Sequence, residues 1–246
     1  MFCPHCGNEI GDGQAFCQHC GMRLGEPAPG PGGREKTPWE DRETRGFFGG
    51  LFTTMKQVLF SPAEFFKRMP VKGGLTDPLL YALIVGMAGL MFSYTWQILL
   101  EGSMQGFLPP EMRAQRYQMF QGINIAVLAV FSPFLLVFGL FIGAGILHLF
   151  LMMVKGSRAG FEATFRVVSY CFSPNILLVI PFCGGIVAWI WTMVITIIGL
   201  RDAHETTGGK AAFAVLFPLV LCCGLAVLFV LVFVGAMAAS FGSMHQ

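Results

Sequence analysis

Long runs without a charged side chain restrict this sequence more than any other feature. Residues 79–100, 122–154, 167–200 and 211–238 contain no Asp, Glu, Lys or Arg. A helix needs about 20 apolar residues to cross about 30 Å of hydrocarbon. The first and last runs each make one span. The 122–154 run is too long for one perpendicular span and too short for two with a turn. It reads as one long helix, tilted or bent at Ser132-Pro133. Within 167–200, Pro181-Phe182-Cys183-Gly184-Gly185 is a turn signal, so that run reads as a tight hairpin of two short helices. The expectation is an all-α integral membrane protein with five spans at about 79–100, 122–154, 166–181, 184–200 and 211–238, and a short external tail at 239–246. Composition agrees, with 54% hydrophobic and only 12% charged residues. A soluble domain carries about 25% charged residues. A soluble enzyme, a disordered chain and a secreted disulfide scaffold are excluded on that ground.

Charge placement gives an orientation. With a cytoplasmic N-terminus, 14 of the 16 basic residues fall on the inside and only Arg113 and Arg116 outside. Such a bias follows the positive-inside rule. It survives an error in the span count, because a hairpin at 167–200 that fails to cross leaves every charged loop on the same side. The chain opens on Met-Phe-Cys-Pro with no export signal ahead of its first cysteines. The N-terminus is therefore expected in a reducing cytoplasm, the C-terminus on the opposite side, and the protein in the cell membrane.

The sharpest motif is Cys3-Pro4-His5-Cys6 followed by Cys17-Gln18-His19-Cys20. Two C-x-x-C turns supply four thiolates, enough to close a tetrahedral zinc site. Gly7 and Gly21 follow each pair, where a tight turn needs a permissive backbone. Residues 1–24 are too few to bury a core, so the metal would supply the folding energy. Four protein ligands leave no open position, so one structural zinc per chain is expected at Cys3, Cys6, Cys17 and Cys20. A redox dithiol and an iron centre are the competing readings. The module carries only Arg23 as a basic residue, which argues against nucleic acid as a partner.

Residues 25–46 are rich in Pro and Gly and read as a flexible linker that makes no core. Residues 47–78 read as amphipathic or interfacial helices. Phe48, Phe52, Met55 and Leu59 recur at helical spacing, and Ser61-Pro62-Ala63-Glu64 has the form of a capping box opening a second helix. These helices lie either in the headgroup region or against the membrane domain.

The spans hold no ionisable residue of the kind ion-coupled pumps and intramembrane proteases use. Their polar residues are Gln97, Asn124, His148, Asn175, Thr192 and Thr196. His148 is the candidate functional group, against the plainer reading of a helix–helix hydrogen bond. Ser173-Pro174-Asn175 should break the third span, leaving carbonyls that neighbours must satisfy or that line a cavity. Gly139 and Gly143, with Ala144 and Gly145, make a smooth strip suited to a dimer seam or to internal packing.

Several short pieces together resemble the Yip family, membrane proteins named for interaction with Ypt/Rab GTPases, and in particular its prokaryotic members with an N-terminal zinc-ribbon. They are Phe60-Ser61-Pro62-Ala63-Glu64-Phe65-Phe66, Asp77-Pro78-Leu79, Ser169-Tyr170-Cys171-Phe172-Ser173-Pro174, Pro181 with Gly184-Gly185, and Trp191, Gly199-Leu200 and His204. The first 21 residues separately resemble the short zinc-ribbon that begins many bacterial membrane proteins. The resemblance implies a five-helix membrane domain. The Asp-Leu-Tyr-Gly-Pro motif of eukaryotic relatives is absent, so their trafficking role is not carried over. The functional expectation is a non-enzymatic membrane organiser or scaffold. Its zinc-ribbon would recruit a cytoplasmic protein, and its membrane domain would contact lipid and possible further copies. The alternatives are a small-solute transporter or channel near Asn175, and a membrane enzyme built on the Cys and His residues.

Overall fold

The computed structural model describes residues 8–9, 18–20, 34–104 and 125–243. Its regular elements are all helices: α1 Arg42–Arg45, α2 Phe47–Phe60, α3 Pro62–Arg68, α4 Thr76–Met104, α5 Ile125–Met153, α6 Gly160–Tyr170, a 3-10 helix Ser173–Val179, α7 Gly184–Ala203 and α8 Gly208–Ser243. Four stretches are long and apolar enough to cross a bilayer: Thr76–Leu100, Val130–Met153, Gly184–Ala203 and Gly208–Phe233. They expose phenylalanines and aliphatic side chains along much of their length, Phe134 at 72% and Phe229 at 70% among them. That surface is compatible with hydrocarbon and not with water. α5 is the single long helix expected, with Pro133 inside it.

The third span departs from the expectation of one short helix over 166–181. Its α-helical part starts earlier, at Gly160, and stops at Tyr170, where Pro174 forbids continuation and a 3-10 helix takes over. Eleven α-helical residues and seven 3-10 residues rise about 30 Å together, enough to traverse the bilayer. The broken segment runs antiparallel to α7. A Cβ at Gly199 would stand 2.6 Å from Val167, and one at Gly184 would collide with the carbonyl of Leu177. Those two glycines lie about 22 Å apart along α7 at 1.5 Å per residue, so the broken segment accompanies α7 through most of its length. Four helices are thus long and apolar enough to cross, and the expected third span is a broken segment lying beside α7.

Two further expectations are corrected. Residues 34–46 are not a linker without a core, because Trp39 is completely buried. Its indole N–H donates to the carbonyl of Asp77 at 2.8 Å, and its backbone N–H donates to Thr54 Oγ1 at 2.9 Å. Its ring meets Tyr81 edge-on. An aromatic ring with a polar tip suits such a site, at the rim of the bundle. The capping box at Ser61 is also absent. Ser61 makes no side-chain cap hydrogen bond, and Glu64 pairs instead with Arg68 one turn on, at 3.2 Å.

Residues 47–69 pack against the spans. α2 buries Leu51, Thr54, Met55 and Val58, and α3 buries Phe65 and Phe66. Trp39→Ala should cost about 3–5 kcal/mol of stability, the range for emptying a large core site. Thermal unfolding in detergent would show it, with Trp39→Phe falling between the variant and the parent.

Candidate functional site

Polar side chains gather at the end of the bundle where α4 begins and α7 ends. Arg166, on α6, is 1% exposed, and its ion-pair partner Glu40 is 7% exposed. The carboxylate also accepts from the Tyr170 hydroxyl at 3.1 Å and from the backbone N–H of Thr37 at 3.2 Å. The guanidinium donates further to the Gly74 carbonyl at 2.9 Å. Glu162, one turn earlier on α6, accepts from the backbone N–H groups of Gly73 and Gly74 at 2.7 and 2.6 Å. Both glycines have positive φ, +138° and +94°, where a side chain would be strained. α6 thus fixes the loop before α4 with one acid and one base.

Arg34 closes two helices at once. It donates to the Phe66 and Met69 carbonyls at the end of α3, 3.3 and 3.0 Å away. It also donates to the Asp202 and Ala203 carbonyls at the end of α7, 3.2 and 3.4 Å away. A cation beside carbonyls left unpaired at helix C-termini is favoured by their partial negative charge.

His148 lies in a hydrogen-bonded chain that ends at His204. The Ala159 backbone N–H donates to His204 Nδ1 at 3.1 Å, so a neutral His204 carries its proton on Nε2. That N–H donates to Thr164 Oγ1 at 2.9 Å, and the same hydroxyl is hydrogen-bonded to His148 Nδ1 at 2.8 Å. His148 Nε2 is hydrogen-bonded to Ser157 Oγ at 3.1 Å. His148 thus ties α5 to α6 and, through Thr164, to the end of α7. The sequence did not connect it with His204.

The other expected positions separate. Cys3, Cys6 and Cys17 lie outside the described residues, while Cys20 is described and exposed. Four thiols in two C-x-x-C pairs are the donor set that suits a closed tetrahedral zinc shell. Pro174 is buried, and Asn175 stands where α4 passes close, since a Cβ at Gly89 would lie 2.8 Å from its Cβ. Ser173 is held by the Tyr81 hydroxyl at 2.7 Å and donates to the Tyr170 carbonyl at 2.7 Å. The helix break is thus packed and hydrogen-bonded from within, and nothing here supports the expected solute pathway. Gly139 and Gly143 have no atom within 4 Å of the place a Cβ would take, so these two face outward, while Ala144 beside them is completely buried. Among the described residues, no three His, Cys, Asp or Glu side chains gather as metal ligands.

The fold and this rim define a polytopic helical membrane protein with a pinned N-terminal segment. A family model described as the Yip1 domain matches residues 56–242, well over half of the sequence, and one described as a zinc-ribbon domain matches residues 2–24. The chain belongs to the Yip1 domain family, with an N-terminal zinc-ribbon, as the resemblance implied. No curated protein and no solved structure matches it.

Burial lowers the pKa of His204 to about 4, with smaller contributions from His148 and Arg34. An unfolded histidine titrates near 6.5. Between those values the unfolded chain binds the extra proton, so native stability falls as pH drops from about 6.5 toward about 4, by up to roughly 3 kcal/mol. Melting in detergent across that window should show the decline, and His204→Gln should flatten it. The ion pair gives a second expectation. Glu40→Leu alone should cost about 3–5 kcal/mol by stranding a buried guanidinium, while Glu40→Leu with Arg166→Met recovers most of the loss.

Proposed function

We propose that this protein is a non-enzymatic organiser of the cell membrane whose zinc-ribbon recruits a cytoplasmic protein partner. The observation that carries the reading is the state of the rim. The buried side chains of Arg166, Glu40 and His204 and the half-buried His148 are bonded to one another or to neighbouring backbone and hydroxyl groups. Groups engaged in this way hold helices together and are not poised to react with a substrate. The four-thiolate set supports a structural metal, one per chain, with no open position for chemistry. The ribbon precedes the pinned segment in the sequence, which suits recruitment of a partner to the bilayer.

The N-terminal side is cytoplasmic in this reading, on the 14-to-2 distribution of basic residues, and the C-terminus is on the opposite side. The outward-facing Gly139 and Gly143 would let a second copy approach closely, making a homo-oligomer.

The test uses the whole chain in detergent. Cys3→Ser with Cys6→Ser should reduce zinc from one per chain to none by elemental analysis. The same variant should lose the proteins that the parent captures from cytosol, while the melting of its helices is unchanged. Capture of the same proteins without zinc would overturn the recruitment role.

A further inference from the structure

The way α2 and α3 lie along α7 reaches beyond that reading and rests only on α7 crossing the bilayer. α7 provides three depth marks. At its end, the Ala203 carbonyl shares the Arg34 guanidinium with the carbonyl of Met69, just past α3. One turn deeper, a Cβ at Gly199 would meet the Phe66 ring at 3.1 Å. Deeper again, the Trp191 indole N–H donates to the Leu59 carbonyl at 3.1 Å, at the far end of α2. Trp191 precedes Ala203 by twelve residues, about 18 Å of helix, and the hydrocarbon core is about 30 Å thick. α2 itself starts at the rim, where Gly50 passes the Pro38 carbonyl beside the buried Trp39.

From these marks we propose that α2 and α3 form a re-entrant hairpin. It enters the bilayer from the side of the N-terminal segment, turns near its middle at Phe60-Ser61-Pro62, and returns. It touches the acyl chains of that leaflet through Phe48, Phe52 and Phe60. These rings are 68%, 58% and 78% exposed, although the opposite face of α2 is packed. At the depth of Trp191, α7 also exposes Val187, Ile190 and Val194, so the phenylalanines continue a surface already suited to lipid. Short helices at membrane depth are tolerated where protein covers their polar groups.

The polar side chains of the hairpin fit this placement. Gln57 stands about 140° around α2 from Phe52, at 100° per residue. With Ser61, Glu64 and Arg68 it lines a cleft of about 340 Å³ shared with residues 35–38, on the flank away from Phe52. Lys56 sits one turn from both Phe52 and Phe60, and its four-carbon stem can carry the ammonium toward the rim.

The test is photocrosslinking of the full chain in phospholipid vesicles. A p-benzoylphenylalanine replaces Phe52 or Phe60, with Phe48 as a further position, Ile190 as the lipid-facing control and Lys72 as the loop control. All three phenylalanines are exposed, and an unchanged helical spectrum verifies folding. After irradiation, intact mass spectrometry should show a gain of one phospholipid mass at positions 52 and 60, in a yield close to that at Ile190 and well above that at Lys72. A yield no higher than at Lys72 overturns the proposal. So do adducts joining two copies of the chain, which would make this face an interface between protomers. The zinc and capture experiments are independent of this outcome.

Discussion

A guanidinium taken out of water must find its counter-charge and its hydrogen bonds, or the site that holds it collapses. Arg166 imposes that constraint on this fold. It projects from a helix whose neighbouring residues, Phe165 and Val167, are fully buried, and its partner Glu40 lies 126 residues away in sequence. Satisfying it brings the segment before α1 onto α6. Trp39 then seats beside Tyr81 and Asp77, and Thr54 of α2 meets the Trp39 backbone. The segment before α1 thus joins α6 to α2 and α4 through this charge pair and the Trp39 ring.

The membrane solvent explains much of the rest. With no water in hydrocarbon, backbone groups must pair within the protein, which makes continuous helices the default and any break costly. The break after Tyr170 is accepted because Ser173 and Tyr81 bind it from the side and the 3-10 helix keeps local hydrogen bonding. Close approach replaces large side chains at the contacts that matter. Gly86 and Gly89 admit Phe172 and Asn175, and Gly184 and Gly199 admit Leu177 and Val167. The outer surface of the spans is left to lipid.

This division bears on function. The membrane domain gathers its polar groups at one rim and engages them in mutual bonds, so the rim acts as a rigid platform. Gly89 packs closely against Asn175, where the alternative reading placed a pathway.

The sequence by itself determined the solvent of each region, because uncharged runs of 22 residues or more have no stable home in water. It also determined the four-thiolate donor set, since two C-x-x-C pairs state their chemistry locally. The long second span with its proline and the break at Pro174 were legible for the same local reason. Tertiary structure alone decided how charges and rings pair. Arg166 counts as one more loop cation in a charge tally, and nothing near it in sequence names Glu40. Trp39 sits in a stretch whose prolines and glycines indicate a linker, and only a packed site formed by α2 and α4 turns it into core. His148 was visible as a lone polar group, but Thr164 and His204 join it only when three helix ends meet. Local composition fixes which medium a segment prefers, whereas specific pairing between distant polar groups is set by geometry that no local pattern carries.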